Sequence, residues 1–290
     1  MFRADLFDGK KFLVTGGASG LGREIAEKYL SLGAEVAICG RRGPVLEEAA
    51  AALQRKYERR VFTHKIDIRD YDAVGDMIDR LWAEFGPLDG LVNNAAGNFI
   101  CRTEDLTRRG FEAVSDIVFR GTFFTTQAVG KRWIAEKRKG SVISIVVTWT
   151  DTGAPFVVPS AMSKAGVETM TRSLAIEWGH YGIRLNCIAP GVFPTEGANA
   201  RLSPKEKWRD AGAENPMHRF GRMPELQALA AFLMADEIEW LTGQTIAIDG
   251  AGHLQNGASF THLRALGDAD WRAMREEIRA RDARDKELQQ

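Results

Sequence analysis

Apolar positions recur along the chain in two rhythms. Short runs rich in β-branched residues at 12–15, 35–39, 61–65, 90–93, 141–147, 184–188 and 245–248 have the character of strands buried on both faces. Between them, 21–31, 45–57, 73–85, 111–137 and 161–178 repeat apolar residues at helical spacing. Seven strands alternating with helices predict an α/β fold, a parallel sheet covered on both sides. The punctuation agrees: Gly33 follows the first helix, Pro44 opens the second, and Gly86-Pro87 ends the third. Nothing resembles a linker or an internal repeat, so one domain is expected over 1–260. The remainder, 261–290, is a charged tail in which Leu263, Leu266, Trp271, Met274 and Ile278 fall near helical spacing. It reads as an amphipathic helix that packs on the body or on another subunit and frays near Arg281, in preference to a membrane-binding segment.

The first strand runs directly into glycines. Lys11-Phe-Leu-Val-Thr-Gly-Gly-Ala-Ser-Gly-Leu-Gly22 places Gly16, Gly20 and Gly22 between a strand and a helix that begins near Leu21. The unpaired N–H groups and positive dipole end of that helix face whatever the loop holds, so a pyrophosphate is the expected ligand. Gly16 permits the turn, Gly20 lets the backbone approach phosphate, and Gly22 lets the helix pack closely on the strand. Thr15, Ser19 and Leu21 complete this cradle.

Composition narrows the function classes. The chain has 290 residues, 44% of them hydrophobic, enough for a sizeable core. Lys plus Arg equals Asp plus Glu at 39 each, so no basic excess favours a nucleic-acid partner. The N-terminal residues hold no apolar run of signal-peptide length, and no segment reaches the roughly 18 apolar residues of a membrane span. A soluble, cytoplasmic protein is expected. Cys39, Cys101 and Cys187 are widely separated and odd in number, which favours free thiols over disulfides. The histidines show no ligand spacing, and no metal is expected.

The residues after each strand suggest which cofactor the cradle holds. A carboxylate after the second strand would select NAD, but Arg41-Arg42 stands there, two guanidinium groups suited to a 2′-phosphate. NADP is therefore favoured, with an ordinary solvated pair as the alternative. Asp67 and Ile68 follow the third strand, where the carboxylate could meet the adenine amino group. Asn93-Asn94-Ala95-Ala96-Gly97 ends the fourth strand with small residues that leave room for ribose and nicotinamide. Pro190-Gly191-Val192-Phe193-Pro194-Thr195 ends the sixth and could fold over the nicotinamide.

Over roughly residues 8 to 250 the chain resembles the short-chain dehydrogenase/reductase family. Thr15-Gly16, Gly20, Gly22, Asn93-Asn94-Ala95, Lys164 and Pro190-Gly191 carry the resemblance, in order and at family spacing. It implies a Rossmann doubly wound sheet, a nicotinamide cofactor contacted by Lys164 as well as the cradle, and commonly a homotetramer built on the helices at 111–137 and 161–178.

The usual catalyst of that family is missing. Most members carry a tyrosine four residues before the lysine, whose phenol donates a proton to a carbonyl oxygen. Here that position is Ser160, and Val118 stands where the family's helix asparagine is expected. One branch departs in this same way. Asn94-Ala95-Ala96-Gly97-Asn98-Phe99-Ile100 and Pro159-Ser160-Ala161-Met162-Ser163-Lys164-Ala165-Gly166 resemble the 2,4-dienoyl-CoA reductases, as do Asp116-Ile117-Val118, Glu177-Trp178-Gly179 and Thr195-Glu196-Gly197. In that branch NADPH reduces a conjugated acyl-CoA thioester and hydrogen-bond donors hold the dienolate oxygen.

The resemblance implies that Asn98 donates to the thioester oxygen, Lys164 holds the nicotinamide ribose, and Ser160 hydrogen-bonds near the nicotinamide. Simpler roles remain open: Asn98 as a turn cap, Ser160 as a helix N-cap, Lys164 as a surface residue. The mitochondrial type adds a tyrosine fifteen residues before the lysine, and this chain has Trp149 there. Indole donates one hydrogen bond and cannot lose that proton at accessible pH. A substituted donor, a reshaped acyl pocket and a lost activity all fit; Asp151 and Asp116 are alternative acids if buried. Residues 196–223 are the expected substrate flap, and its Arg201, Lys205, Lys207, Arg219 and Arg222 could meet the phosphates of coenzyme A or form a solvated lid. The alternatives to dienoyl reduction are an alcohol or 3-oxoacyl-thioester oxidoreductase with an atypical proton relay, and a nucleotide-binding scaffold without turnover.

Overall fold

The structure is a computed structural model that describes residues 2–195, 212–255, 267–270, 272, 273 and 276. The chain divides into two units, Met1–His253 and Leu254–Gln290. In the first, strands β1 (Lys11–Thr15), β2 (Glu35–Gly40), β3 (Val61–Lys65), β4 (Gly90–Asn93), β5 (Gly140–Ile145), β6 (Ile183–Pro190) and β7 (Thr245–Ile248) form one parallel sheet. Their order is β3-β2-β1-β4-β5-β6-β7. The connections carry helices α1 (Gly20–Ser31), α2 (Gly43–Tyr57), α3 (Tyr71–Glu84), α4 (Arg108–Ser115), α5 (Thr122–Ala135), α6 (Trp149–Thr152), α7 (Val158–Trp178) and α8 (Met223–Met234). This is the doubly wound Rossmann arrangement. The chain winds outward from β1 to β3 and then returns to lay β4 on the other side of β1, which opens a crevice at the carboxyl ends of β1 and β4.

Successive strand residues point to opposite faces, and the core divides accordingly. Phe12, Val14, Val36 and Ile38 pack with Ile25, Tyr29, Leu46, Leu53 and Leu233 from α1, α2 and α8. Leu13, Ala37 and Cys39 face the other way, toward Met77, Ile78, Leu81, Val129 and Trp133 from α3 and α5. Buried polar groups tie the layers together. Trp133 Nε1 donates to Leu88 O at 2.6 Å, and the Tyr29 hydroxyl donates to Ala230 O at 3.2 Å. The buried Arg184 guanidinium donates at 3.0 Å to Leu233 O and to Ala235 O, satisfying carbonyls that the end of α8 leaves open. Cys39 and Cys187 are buried free thiols in β2 and β6.

Two helices differ from expectation. The single helix expected over 111–137 is α4, a π-helical turn at Asp116–Gly121, and α5. The π turn lets the element bend close to the loop after β3: a Cβ on Gly121 would fall 2.7 Å from Ile68 Cγ1. Helix α7 begins at Val158 rather than 161, with Pro159 in its first turn. Its N-cap residue is Val157, so Ser160 lies inside the first turn and does not cap the helix.

In the second unit, Asp268, Ala269 and Asp270 are helical. The apolar positions of the expected tail helix, Leu263, Leu266, Trp271, Met274 and Ile278, lie outside the described residues. Among the described residues no helix is long and apolar enough to cross a membrane.

Candidate active site

The crevice is a cleft of about 650 Å³ whose lining includes Gly16, Ser19, Arg41, Arg42, Asp67, Ile68, residues 94–98 and Ile117. Gly16 and Gly20 adopt left-handed backbone, φ +65° and +55°, which is what these glycines are needed for. Gly22 serves close approach: a Cβ there would lie 2.3 Å from Asn94 Nδ2 and 2.7 Å from Gly16 O. The ends of β1 and β4 are stitched by side chains. The Thr15 hydroxyl accepts from the Asn94 and Ala95 N–H groups at 3.0 Å and donates to Val92 O at 3.3 Å. Asn94 Nδ2 donates to Thr15 O and Gly16 O at 3.0 and 3.3 Å. No side chain caps the N-terminus of α1, so its free N–H groups face the cleft. These features fit a dinucleotide with its pyrophosphate at the helix end.

At the far side, Arg41 and Arg42 are exposed, and neither has a carboxylate within ion-pair distance among the described residues. Arg42 Nη2 approaches Ser19 Oγ at 3.5 Å. Asp67 lines the same wall, yet its carboxylate is already held: Arg69 Nε donates to both oxygens at 2.9 and 3.0 Å, and Nη2 to Oδ2 at 2.5 Å. The Arg69 hydrogen bonds hold the Asp67 carboxyl below its ordinary range.

The segment after β6 contributes differently than its side chains suggested. Phe193 turns its ring into the core, where a Cβ on Gly221 would fall 2.5 Å from it, so any contact it makes with a cofactor comes from its backbone. Thr195 does reach the cradle, with Cγ2 at 3.8 Å from where a Cβ on Gly20 would be. Gly191 packs against Asp249 behind Pro190. Of the cations expected in the flap, Arg219 and Arg222 are tied to Glu225 at the start of α8, Arg219 through two bonds at 2.9 and 2.7 Å. These bonds pull Glu225 down to about 2. Arg201, Lys205 and Lys207 lie outside the described residues.

On the β5 side of the cleft, α7 presents Ser160 and Lys164 from one buried face, 4% and 5% exposed. Lys164 is therefore no surface residue. Its Nζ donates to Ile145 O at the end of β5. Burial lowers the ammonium to about 8, since a charge out of water is disfavoured. Trp149 opens α6, four residues past the end of β5, and is half-buried with no hydrogen bond to its Nε1 among the described residues. Asn98 lines the cleft; its Oδ1 accepts from the Phe99 N–H at 2.9 Å, which leaves Nδ2 to donate elsewhere. Cys101 N–H donates to Phe156 O at 2.9 Å, linking the Asn98 loop to the segment before Ser160. Trp149, Ser160 and Lys164 themselves are not part of the cleft lining, which on this side includes Asn98 and Ile117. Asp151 is exposed and Asp116 faces Arg120 at 3.4 Å, so neither has the buried setting expected of a general acid. No group of three or more His, Cys, Asp or Glu side chains among the described residues could hold a metal ion.

Comparison with known proteins agrees with this geometry. Residues 16–253 match the family model described as enoyl-(acyl carrier protein) reductase. A probable 2,4-dienoyl-CoA reductase of Bacillus subtilis is 42% identical over 243 residues, 83% of this chain and 95% of that protein. A probable 2,4-dienoyl-CoA reductase of Caenorhabditis elegans is 40% identical over 292 residues, 99% of this chain and 94% of that one. The crystal structure of a short chain dehydrogenase from Bacillus anthracis superposes with TM-score 0.77 at 40% identity, covering 84% of this chain and 96% of that one. The chain belongs to the short-chain dehydrogenase/reductase family. It is accordingly an oxidoreductase of the NAD(P)-dependent kind.

Within that family the site keeps the lysine and lacks the phenol. What the sequence did not reveal is the set of buried polar partners behind it. Asn93 Nδ2 donates to Thr126 Oγ1 at 2.8 Å, and its Oδ1 accepts from Thr125 Oγ1 at 2.8 Å, fixing the end of β4 to α5. Glu168, one turn after Lys164, accepts from Thr150 Oγ1 at 2.8 Å. A glutamate inside an apolar helix face was the available signal, since such a residue is seldom buried without a partner.

Proposed function

We propose that the protein is an NADPH-dependent reductase of a conjugated C=C bond in an acyl-CoA thioester, of the 2,4-dienoyl-CoA reductase type. The observation that carries this reading is a buried Lys164 one turn from a buried Ser160 with no phenol at that position; Asn98 Nδ2 and Trp149 Nε1, two neutral N–H donors, lack partners among the described residues. Neutral donors suit an oxygen that gains charge without having to be protonated. The names of the curated relatives support the same substrate class.

When bound, the reduced nicotinamide supplies a hydride to the far end of the diene. The residues of this chain do the rest. The backbone of the Gly16–Gly22 cradle anchors the pyrophosphate, and residues 94–96 leave a shallow wall for the nicotinamide ribose. Lys164, released from Ile145 O, holds that ribose and adds positive potential while it is protonated. Asn98 and Trp149 donate to the thioester oxygen, where the electrons collect as a dienolate, and Ser160 adds a hydrogen bond beside the nicotinamide. Indole keeps its proton, so the carbon-bound proton arrives from water. Exposed Phe99, Ile100 and Phe156 next to these donors offer apolar surface to an acyl chain.

Arg41 and Arg42, with no carboxylate at ion-pair distance among the described residues, support NADP over NAD through the 2′-phosphate. The domain division proposed is a Rossmann body over 1–260, its substrate flap at 196–223, and a tail over 261–290. A homotetramer is proposed on α4, α5 and α7, which expose Phe111, Phe123 and Met162, with Phe119 on the turn between α4 and α5. The proposed compartment is the cytoplasm, which fractionation of cells would test.

One assay tests the function: NADPH absorbance with a 2,4-dienoyl-CoA, with a 3-oxoacyl-CoA, and with no acyl substrate. Oxidation with the dienoyl thioester alone is expected. Turnover of the 3-oxoacyl thioester alone would identify a carbonyl oxidoreductase with another proton relay, and binding without consumption would identify a scaffold.

A further inference from the structure

The face of α7 that carries Ser160 and Lys164 carries one more polar residue at the same spacing. Glu168 lies one turn beyond Lys164 and is as closed off, 4% exposed. Residues four apart share a helix face, so the three form one buried polar stripe. A carboxyl group in such a place is costly unless hydrogen-bonded, and the partner comes from outside its own helix. Thr150 Oγ1 donates to Glu168 Oε1 at 2.8 Å, while Arg172 stands 3.8 Å from the other oxygen.

Thr150 directly follows Trp149 in α6. That helix has four residues, no side-chain cap at its start, and Gly153 at a positive φ of +72° at its end. A helix this short does not hold itself together. Its own closing bond is Gly153 N–H to Trp149 O at 2.8 Å. The Thr150 hydroxyl, shared between Val147 O at 3.2 Å and Glu168, fastens it both to the end of β5 and to α7. Orientation matters more for indole than for a phenol, because its single N–H is fixed in the ring plane and cannot swing about a C–O bond.

We infer that Glu168 acts through Thr150 as a positioning residue that fixes α6 and aims the Trp149 N–H at the substrate's thioester oxygen. This rests on the role given to Trp149 above. An oxyanion donor works only within hydrogen-bond distance of the oxygen, and displacement by an ångström is enough to lose about one to two orders of magnitude in rate.

A double-mutant cycle on the full-length protein, with NADPH and 2,4-hexadienoyl-CoA, tests it. Trp149→Phe should lower kcat about a hundredfold by removing the donor. Thr150→Val should lower kcat about tenfold by misplacing it, with KM for NADPH unchanged, and Thr150→Ser should restore turnover to within about twofold. In the Trp149→Phe background, Thr150→Val should cost nothing further. If Thr150→Val does not fold, Glu168→Gln, which keeps an acceptor oxygen, against Glu168→Leu, which does not, makes the same comparison in the same two backgrounds. An equal loss in both backgrounds, or wild-type kcat in the Thr150→Val enzyme, overturns the positioning role and leaves Trp149 as a donor. Wild-type kcat in the Trp149→Phe enzyme overturns both.

Discussion

The two halves of the proposed site are built by different means. At the β1–α1 end the cradle proposed for the pyrophosphate offers backbone N–H groups, held by left-handed glycines and by the Thr15 and Asn94 cross-links. On the β5–α7 side the groups proposed to meet the substrate are side chains: a buried ammonium, a hydroxyl, the amide of the loop after β4 and an indole. Backbone donors are the same whatever residues carry them, so the first end tolerates little change of shape and has no chemistry to change. Side-chain donors can be exchanged singly, and replacing a titratable phenol with neutral donors alters the reaction the site favours without disturbing the sheet. In the proposed reading the fold fixes where the cofactor lies, while a handful of side chains on α6 and α7 and in the loop after β4 decides what is reduced.

Substitutions at the two ends should therefore separate binding from turnover. Gly22→Val forces a side chain into the 2.3 Å gap to Asn94 Nδ2 and should weaken NADPH binding by about a hundredfold or more, read by calorimetry on protein shown to be folded. Asn98→Ala should lower kcat about a hundredfold while the NADPH Kd stays as in wild type. Equal changes in both constants for both variants would erase the distinction. Arg41→Ala and Arg42→Ala should each weaken NADPH about tenfold and leave NADH unaffected, since each removes a charge-assisted bond to the 2′-phosphate alone.

The buried lysine adds a pH signature to the catalytic end alone. Lys164 titrates at about 8, so kcat should fall as pH rises through that value and the positive charge is lost. Folding responds in the opposite sense. With the folded value lowered from an ordinary 10.5, the folded chain binds fewer protons than the unfolded one between about 8 and 10.5, so this group's unfavourable contribution lessens as pH rises through that window. The stability gap between Lys164→Met and wild type should narrow from pH 8 to pH 10 in denaturant titrations.

Sequence and structure agree best where local pattern decides. Strand runs such as 61–65 and 245–248 and the glycine cradle follow from periodicity and backbone freedom, and both are where they were expected. The π turn at Asp116–Gly121 was hidden because its apolar residues continue the helical rhythm on either side, and the tight approach of Gly121 to Ile68 is a tertiary fact. The segment after Pro190-Gly191 was legible as one that could fold over the nicotinamide, while the turn of the Phe193 ring into the core depended on tertiary packing. Asp67 was legible as a wall of the cleft, while its capture by Arg69, two residues away, depended on side-chain geometry that spacing does not encode. The Thr150–Glu168 tie joins positions 18 residues apart and could be met only in three dimensions.

The central claim is that two neutral N–H donors hold the charge that develops on the thioester oxygen. A crystal structure of the protein with NADP and a dienoyl-CoA tests it most directly. The account predicts Asn98 Nδ2 and Trp149 Nε1 both within about 3 Å of that oxygen, with Lys164 turned from Ile145 O to the nicotinamide ribose. An indole turned away from the substrate, with the oxygen held by other groups, would contradict it.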